Sequence, residues 1–395
     1  MNDVPLILRV KFVVPIGISL LLAGCVPGGR SELEEPASVQ TMETAAGTGS
    51  EPYRWRLPAG FPMPLLPSGN SMNAAKVELG RHLFYDRRLS GNETFSCASC
   101  HRQKYAFSDG RVVAEGSTGE KHPRNAMSLT NVAYNRAFAW ADPKLSSLED
   151  QALVPMLNEH PVELGLAGRK REILERLAAD PEYRTLFSQA FPVPRSIRFE
   201  HVVRAIAAFE RTLLSGNSAY DRRVFFDEKD ALSLSAERGM ELFFSQRTRC
   251  AECHSGFNFS GTVVFRGGEK LPIEFHNTGL FDLDGEGAYP EPNRGLFEHT
   301  RRPEDMGRFK APTLRNIELT APYLHDGSAT TLEEVIETYA AGGREPGRGN
   351  HYKSPLVTGF EISESEIRDL VEFLKSLTDR SFITDARFSD PLQAE

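Results

Sequence analysis

Two pentapeptides carry the residues best suited to chemistry: Cys97-Ala98-Ser99-Cys100-His101 and Cys250-Ala251-Glu252-Cys253-His254. A pair of thiols two residues apart, followed at once by an imidazole, suits attachment of a c-type haem. The sulfurs add across the vinyl groups, and the histidine ligates the iron from the proximal side. A zinc ribbon needs its two cysteine pairs about 15 to 20 residues apart, whereas these pairs lie in distant parts of the chain. A thioredoxin-like redox pair explains neither histidine. The sequence therefore predicts two covalently held haems, with His101 and His254 as proximal ligands.

Each pentapeptide needs an element to hold it. Ser71 is placed to cap a helix bearing Val77, Leu79, Leu83 and Phe84, which leads through Gly91 to the first site. Before the second site, Arg238-Gly239-Met240-Glu241-Leu242-Phe243 echoes Leu79-Gly80-Arg81-His82-Leu83-Phe84, which marks two similar modules. Each module closes with an amphipathic helix. The first runs about 199–214 and aligns Val202, Ile206, Phe209 and Leu213; the second follows a Ser363/Glu366 capping box and aligns Ile367, Leu370, Val371, Leu374 and Leu377. A further helix is expected from Leu332 to Ala341, capped by Thr330 with Glu333 and stopped by Gly342-Gly343. Strand signals are few, and 263–265 is the best of them. The expected fold is mainly α: two cytochrome-c-like haem domains, residues 61–230 and 231–395, joined near 227–235 and wrapped in long Gly/Pro-rich loops.

A net charge of −8 and 40% hydrophobic residues over 395 positions describe an acidic chain long enough for two or three domains. No basic stripe points to nucleic acid. The fifth cysteine, Cys25, stands after Arg9, Lys11, an apolar run from Phe12 to Leu22, and Leu22-Ala23-Gly24-Cys25. That is the layout of a signal peptide, with an apolar part short for a membrane span. Its end resembles a bacterial lipobox. This implies a lipoprotein-type signal over 1–24, an acylated Cys25, and a periplasmic folded part anchored to a membrane, with Val26 pointing to the outer one. A plain cleaved signal or a membrane-anchored N-terminus are the other readings. Residues 25–60, rich in Ser, Thr, Glu, Pro and Gly, are expected to form a flexible tether. The acidic run from Asp282 to Gly287 lacks the EF-hand ligand series and reads as a solvated turn.

From about Phe61 to Leu377 the chain resembles the bacterial di-haem cytochrome c peroxidases and MauG. The stretches that carry the resemblance are Phe95-Ser96-Cys97-Ala98-Ser99-Cys100-His101, Gln151 to Glu163, Gly307-Arg308-Phe309-Lys310-Ala311-Pro312-Thr313-Leu314-Arg315-Asn316, and Ala321-Pro322-Tyr323-Leu324-His325-Asp326-Gly327. Three more stretches, Ser117-Thr118-Gly119-Glu120, Leu153-Val154-Pro155-Met156 and Phe275-His276-Asn277-Thr278-Gly279-Leu280, resemble the methanobactin-associated di-haem branch, MbnH. Members of that branch are tied to copper systems and oxidise a tryptophan on a partner protein.

The resemblance implies roles residue by residue. At the first haem, Glu163 would be the base that moves a proton between the peroxide oxygens, Gln151 would orient peroxide, and Pro155 would pack over the distal face. Two more residues separate Pro155 from Glu163 than in the family, and the other reading of Glu163 is a helix cap or a solvent-facing carboxylate. The family position of a blocking distal histidine corresponds to Ser117; His122 is off register and reads as a loop residue, so the first iron is expected to be open when ferric. At the second haem, the family's axial methionine corresponds to Tyr339, and no methionine follows Met306. A methionine ligand raises the potential, whereas a phenolate stabilises oxidised iron and suits storage of an oxidising equivalent. The alternative is an ordinary helix-face tyrosine. Trp140 would relay charge between the haems, its alternative being core filling. Asn125 by its side chain, with Thr320 and Pro322 by their carbonyls, would hold one Ca²⁺.

Two functions of different class follow. One is a peroxidase that reduces H₂O₂ and draws electrons from a macromolecular donor, either a tryptophan on a copper-binding partner or a small cytochrome or cupredoxin. The other is a di-haem electron-transfer or sensing cytochrome without turnover, against which Glu163 and Gln151 argue.

Overall fold

The computed structural model describes residues 52–191 and 196–393. The expected signal peptide, Cys25 and the tether up to residue 51 lie outside the described residues.

The first module contains α1 (Ala74–Tyr85), α2 (Cys97–Cys100), α3 (Leu148–Leu157), α4 (Lys170–Ala179), α5 (Pro181–Ala190), α6 (Phe199–Glu210) and α7 (Ala219–Phe225). The second contains α8 (Leu234–Phe243), α9 (Cys250–Cys253), α10 (Phe297–Thr300), α11 (Leu332–Ala340) and α12 (Glu364–Ser376). Between them run long loops and one two-stranded antiparallel ribbon, β1 (Phe275–Asn277) against β2 (Arg308–Lys310), with His276 opposite Phe309. The mainly helical architecture of two cytochrome-c-like domains is as expected. The strand expected at 263–265 is absent, and that stretch makes only single bridges, Val263 to Asn135 and Phe265 to Pro64.

The internal repeat has a packing cause. α1 crosses α6, and α8 crosses α12. A Cβ on Gly80 would fall on the Ala205 carbonyl and against Phe209 Cβ, and one on Gly239 would fall on the Asp369 carbonyl and against Phe373 Cβ. Each glycine therefore lets two helix backbones touch, one turn before an aromatic that closes the crossing. Around the first crossing Leu79, Leu83, Phe84, Val202, Ile206 and Phe209 are wholly buried; around the second, Phe243, Leu370, Phe373 and Leu374 are buried. Burial of each such side chain contributes about 1.5–3 kcal/mol.

Caps shift by one or two residues from expectation. α1 is capped by Asn73, which accepts from Lys76 N–H at 2.7 Å, and not by Ser71. Thr331, not Thr330, caps α11, while Thr330 bonds the Glu334 carboxylate. The box at Ser363 and Glu366 forms as expected.

Packing crosses the boundary expected near 227–235. Tyr220 of α7 belongs to the second core, and Phe382 and Phe388, near the C-terminus, belong to the first. Residues 52–60, expected as the end of the tether, are docked: Trp55 is 1% exposed and packs with Met72 and Ala208. The apolar content of Tyr53, Trp55 and Leu57 outweighs the polar composition around it.

A buried polar network ties the modules. Arg315 and Asp221, both 0% exposed at the side chain, form a bidentate pair at 2.8 and 2.9 Å. Asn316 Nδ2 donates to Thr130 Oγ1 and Ser215 Oγ, its Oδ1 accepts from Asp379 N–H, and Asp379 Oδ2 accepts from the Gly216 and Asn217 N–H groups.

Candidate haem and peroxide sites

Both pentapeptides form a single helical turn ending in the histidine. Their four cysteines are free of disulfides, which leaves the sulfurs available for thioether bonds. His101 Nδ1 donates to the Phe107 carbonyl at 2.9 Å. His254 Nδ1 is shared between the carbonyls of Phe259 and Pro312, at 3.2 and 3.1 Å. With the proton fixed on Nδ1, the Nε2 lone pair is free for a metal, the second-shell arrangement expected of a ligating histidine. Phe107 and Phe259 reach these positions with φ of 60° and 47°, a left-handed conformation costly for bulky residues. Its recurrence in both modules aims the carbonyl at the imidazole. Burial holds both histidines below their ordinary pKa, His254 at about 4.

At the first site, α3 carries Gln151 and Pro155 one helical turn apart. Pro155 has no N–H, so the Gln151 carbonyl lacks its helical partner. The chain then doubles back: Leu164 N–H donates to Pro155 O at 2.8 Å, and Leu166 N–H to Met156 O at 2.9 Å. This return places Glu163 beside Pro155. Ser117 N–H donates to Glu163 O at 2.7 Å, and the Glu120 carboxylate accepts from Val162 N–H at 3.1 Å. Gly116 permits this contact, since a Cβ there would strike the Val162 carbonyl. The Ser117-Thr118-Gly119-Glu120 stretch thus clamps the backbone of Glu163. The Glu163 carboxyl is within electrostatic reach of Cys97 and Cys100, and burial pushes it up to about 7. His122 is engaged locally, its Nδ1 accepting from Arg124 N–H at 3.1 Å.

One cavity holds the second site. Cys250, Cys253, His254, Tyr339, Trp140, Asn125, Thr320 and Pro322 all line it. Tyr339 therefore shares a chamber with His254, and both could hold the second haem's iron. Burial raises its phenol above the ordinary range, and the cysteine sulfurs add to the effect, so a phenolate there would be favoured only by a bound metal. Trp140 Nε1 donates to Asn125 O at 2.9 Å, and Trp140 O accepts from Lys310 N–H at 2.9 Å. Asn125 Nδ2 donates to Arg111 O at 2.7 Å, which turns Oδ1 the other way. Among the described residues no cluster of three His, Cys, Asp or Glu side chains is arranged for a metal; a cation here would rely on amide and carbonyl oxygens, the donor set suited to Ca²⁺.

Sequence reasoning missed the carbonyls of Phe107, Phe259 and Pro312, because a left-handed aromatic has no sequence signature. It also passed over Lys310 and the imidazole of His325, although both stand in motifs that carried the resemblance.

Residues 74–231 match the family described as di-haem cytochrome c peroxidase, and residues 236–378 match cytochrome c. The chain is 33% identical over 373 residues to the methylamine utilization protein MauG of Methylorubrum extorquens, covering 93% of this chain and 96% of the relative. It is 34% identical to cytochrome-c peroxidase IdrP1 of Denitromonas iodatirespirans, with 88% and 92% covered. The chain belongs to the MauG and di-haem cytochrome c peroxidase family: it is an oxidoreductase carrying two c-type haems. Among solved structures, a MauG-like protein associated with microbial copper homeostasis superposes with a TM-score of 0.84 at 45% identity, covering 86% of this chain and all of that one. The di-haem peroxidase BthA of Burkholderia thailandensis shares the fold, with a TM-score of 0.62 at 20% identity.

Proposed function

We propose that the protein reduces H₂O₂ at the first site and draws the electrons, over a long range, from a tryptophan on a copper-binding partner protein. The observation that carries the peroxidase reading is the Glu163 carboxyl, raised by desolvation to about 7, held beside Pro155 by the returning chain and within electrostatic reach of the first Cys-x-x-Cys-His turn. A group poised near neutrality can take a proton from one peroxide oxygen and return it to the other. The haem supplies the electron-transfer capacity. Gln151 orients peroxide, Pro155 excludes water from the face above it, and the 116–120 turn keeps Glu163 from swinging away. Tyr339 stabilises the oxidised level of the second site, and Trp140, on the wall of that cavity, would relay charge.

Reduction of H₂O₂ to two waters takes two electrons and two protons. The partner's tryptophan gives both electrons and, on taking up water, releases two protons; the net change is one oxygen added to the indole and one water formed. Similarity to the copper-homeostasis protein supports this donor. Similarity to the cytochrome-c peroxidases supports a second reading, in which a small cytochrome or cupredoxin is oxidised without modification. The proposal includes one Ca²⁺ held by the Asn125 side chain and the Thr320 and Pro322 carbonyls. It also includes export to the periplasm with acylation at Cys25, which metabolic lipid labelling of the Cys25→Ser variant would check.

The test is peptide mass spectrometry of copper-binding exported proteins after incubation with the holoenzyme and H₂O₂. One added oxygen on a tryptophan, dependent on both reagents, is expected. Peroxide consumption sustained by a cytochrome, with every partner tryptophan unchanged, would replace it with the second reading.

A further inference from the structure

Two buried side chains that carry nitrogen donors, Lys310 and His325, line the cavity of the second site. Lys310 is 4% exposed, and among the described residues its ammonium has no ion-pair partner. Its backbone is fixed by the β1–β2 ribbon and by the bond from Lys310 N–H to Trp140 O, so the side chain is not free to leave. Burial depresses its pKa to about 8. His325 is also 4% exposed; its ring lies flat on Phe309, centroids 3.7 Å apart and planes 16° from parallel. Its Nε2 is buried without a partner, and its carbonyl accepts from Asn125 N–H at 2.8 Å. Both side chains line the chamber that holds Cys250, Cys253, His254 and Tyr339.

A buried ammonium without a counter-ion and a buried ring nitrogen without a partner are both costly. Together they describe a receptor for an anion with two oxygens, one to meet a point charge and one to accept an N–H. We propose that Lys310 and His325 grip a propionate carboxylate of the second haem, beside Trp140. This rests on the reading that Cys250, Cys253 and His254 hold that haem. A covalently attached haem brings its own carboxylates into this chamber, which favours it over an external anion. Lys310 is then a positioning residue with an electrostatic effect: its positive charge favours reduced iron, opposing the Tyr339 phenolate. The potential of the second site would be set by the balance of the two.

The experiment combines a crystal structure of the wild-type holoprotein with spectroelectrochemistry of wild type, Lys310→Gln and Lys310→Arg. Haem is counted in each by pyridine haemochrome. Lys310 Nζ is expected about 3 Å from a propionate oxygen. In Lys310→Gln the oxidised-to-reduced ratio of the second haem at fixed potential should rise about tenfold, a fall of about 59 mV in midpoint for a one-electron couple. The first haem should be unmoved, and Lys310→Arg should keep the wild-type value. A holo structure with both propionates away from Lys310, or with an external anion on Nζ, overturns the clamp. So does an unchanged midpoint in a Lys310→Gln protein bearing two haems. If that variant loses the second haem, the wild-type structure alone decides. A wild-type count below two haems refutes the haem reading instead, and the two failures are distinguishable.

Discussion

Glu163→Gln tests the catalytic reading most directly. The substitution keeps size and burial while removing the base. Burial raises the Glu163 carboxyl from 4.5 to about 7, so about half of the molecules carry the base at neutral pH and about a tenth do one pH unit lower. The second-order rate of peroxide reaction with the ferric holoenzyme, measured by stopped flow, should therefore rise about tenfold per pH unit on the acid side and level off above about 7. In Glu163→Gln the plateau should drop by about 10²- to 10⁴-fold, equivalent to about 3–5 kcal/mol of barrier, and the acid limb should vanish. Stability supplies a second readout. Because the folded pKa lies above the ordinary value, the folded state binds the extra proton, and wild type loses stability as pH rises from 4.5 to about 7. The loss is about 3 kcal/mol at its upper bound and is complete above the folded pKa. Denaturant midpoints of Glu163→Gln should match wild type at low pH and exceed it increasingly across that window. A variant that reacts at the wild-type rate with the same acid limb would refute the assignment.

Tyr339→Met should raise the midpoint potential of the second haem, because a thioether favours reduced iron where a phenolate favours oxidised iron; an unchanged potential and spectrum would remove Tyr339 from the iron. Gly239→Ala, and separately Gly80→Ala, should each cost about 1–3 kcal/mol in denaturant unfolding through overpacking at the helix crossing. Each variant that still folds should retain two haems. Asp221→Asn should cost about 3–5 kcal/mol, since it leaves the Arg315 guanidinium buried and unpaired; a loss under about 1 kcal/mol would show that the pair is solvated.

The parts legible in the sequence were those with a local signature: the two pentapeptides, the repeated Gly-containing helix, the capping box at Ser363 and the apolar stripes of α6 and α12. The spacing that placed Glu163 was read through Pro155, and the return bonds from Leu164 and Leu166 hold it beside that proline. What escaped was decided by tertiary context. Trp55 sits in a polar stretch and is buried because a surface formed by Met72 and Ala208 waits for it. Phe382 packs into a core built mostly from residues before 214, which no local pattern announces. The short ribbon formed at 275–277 and 308–310 in place of 263–265, because its pairing depends on a partner thirty or so residues away rather than on the β-propensity of either segment.

The stitching of the two modules by Arg315, Asp221, Asn316, Ser215 and Asp379 has a kinetic meaning. Electron tunnelling slows steeply as a gap widens, and a gap that breathes gives a spread of rates. Here the two modules are soldered by buried bonds that must break before they can part. Two modules joined in this way keep their two Cys-x-x-Cys-His turns at one separation.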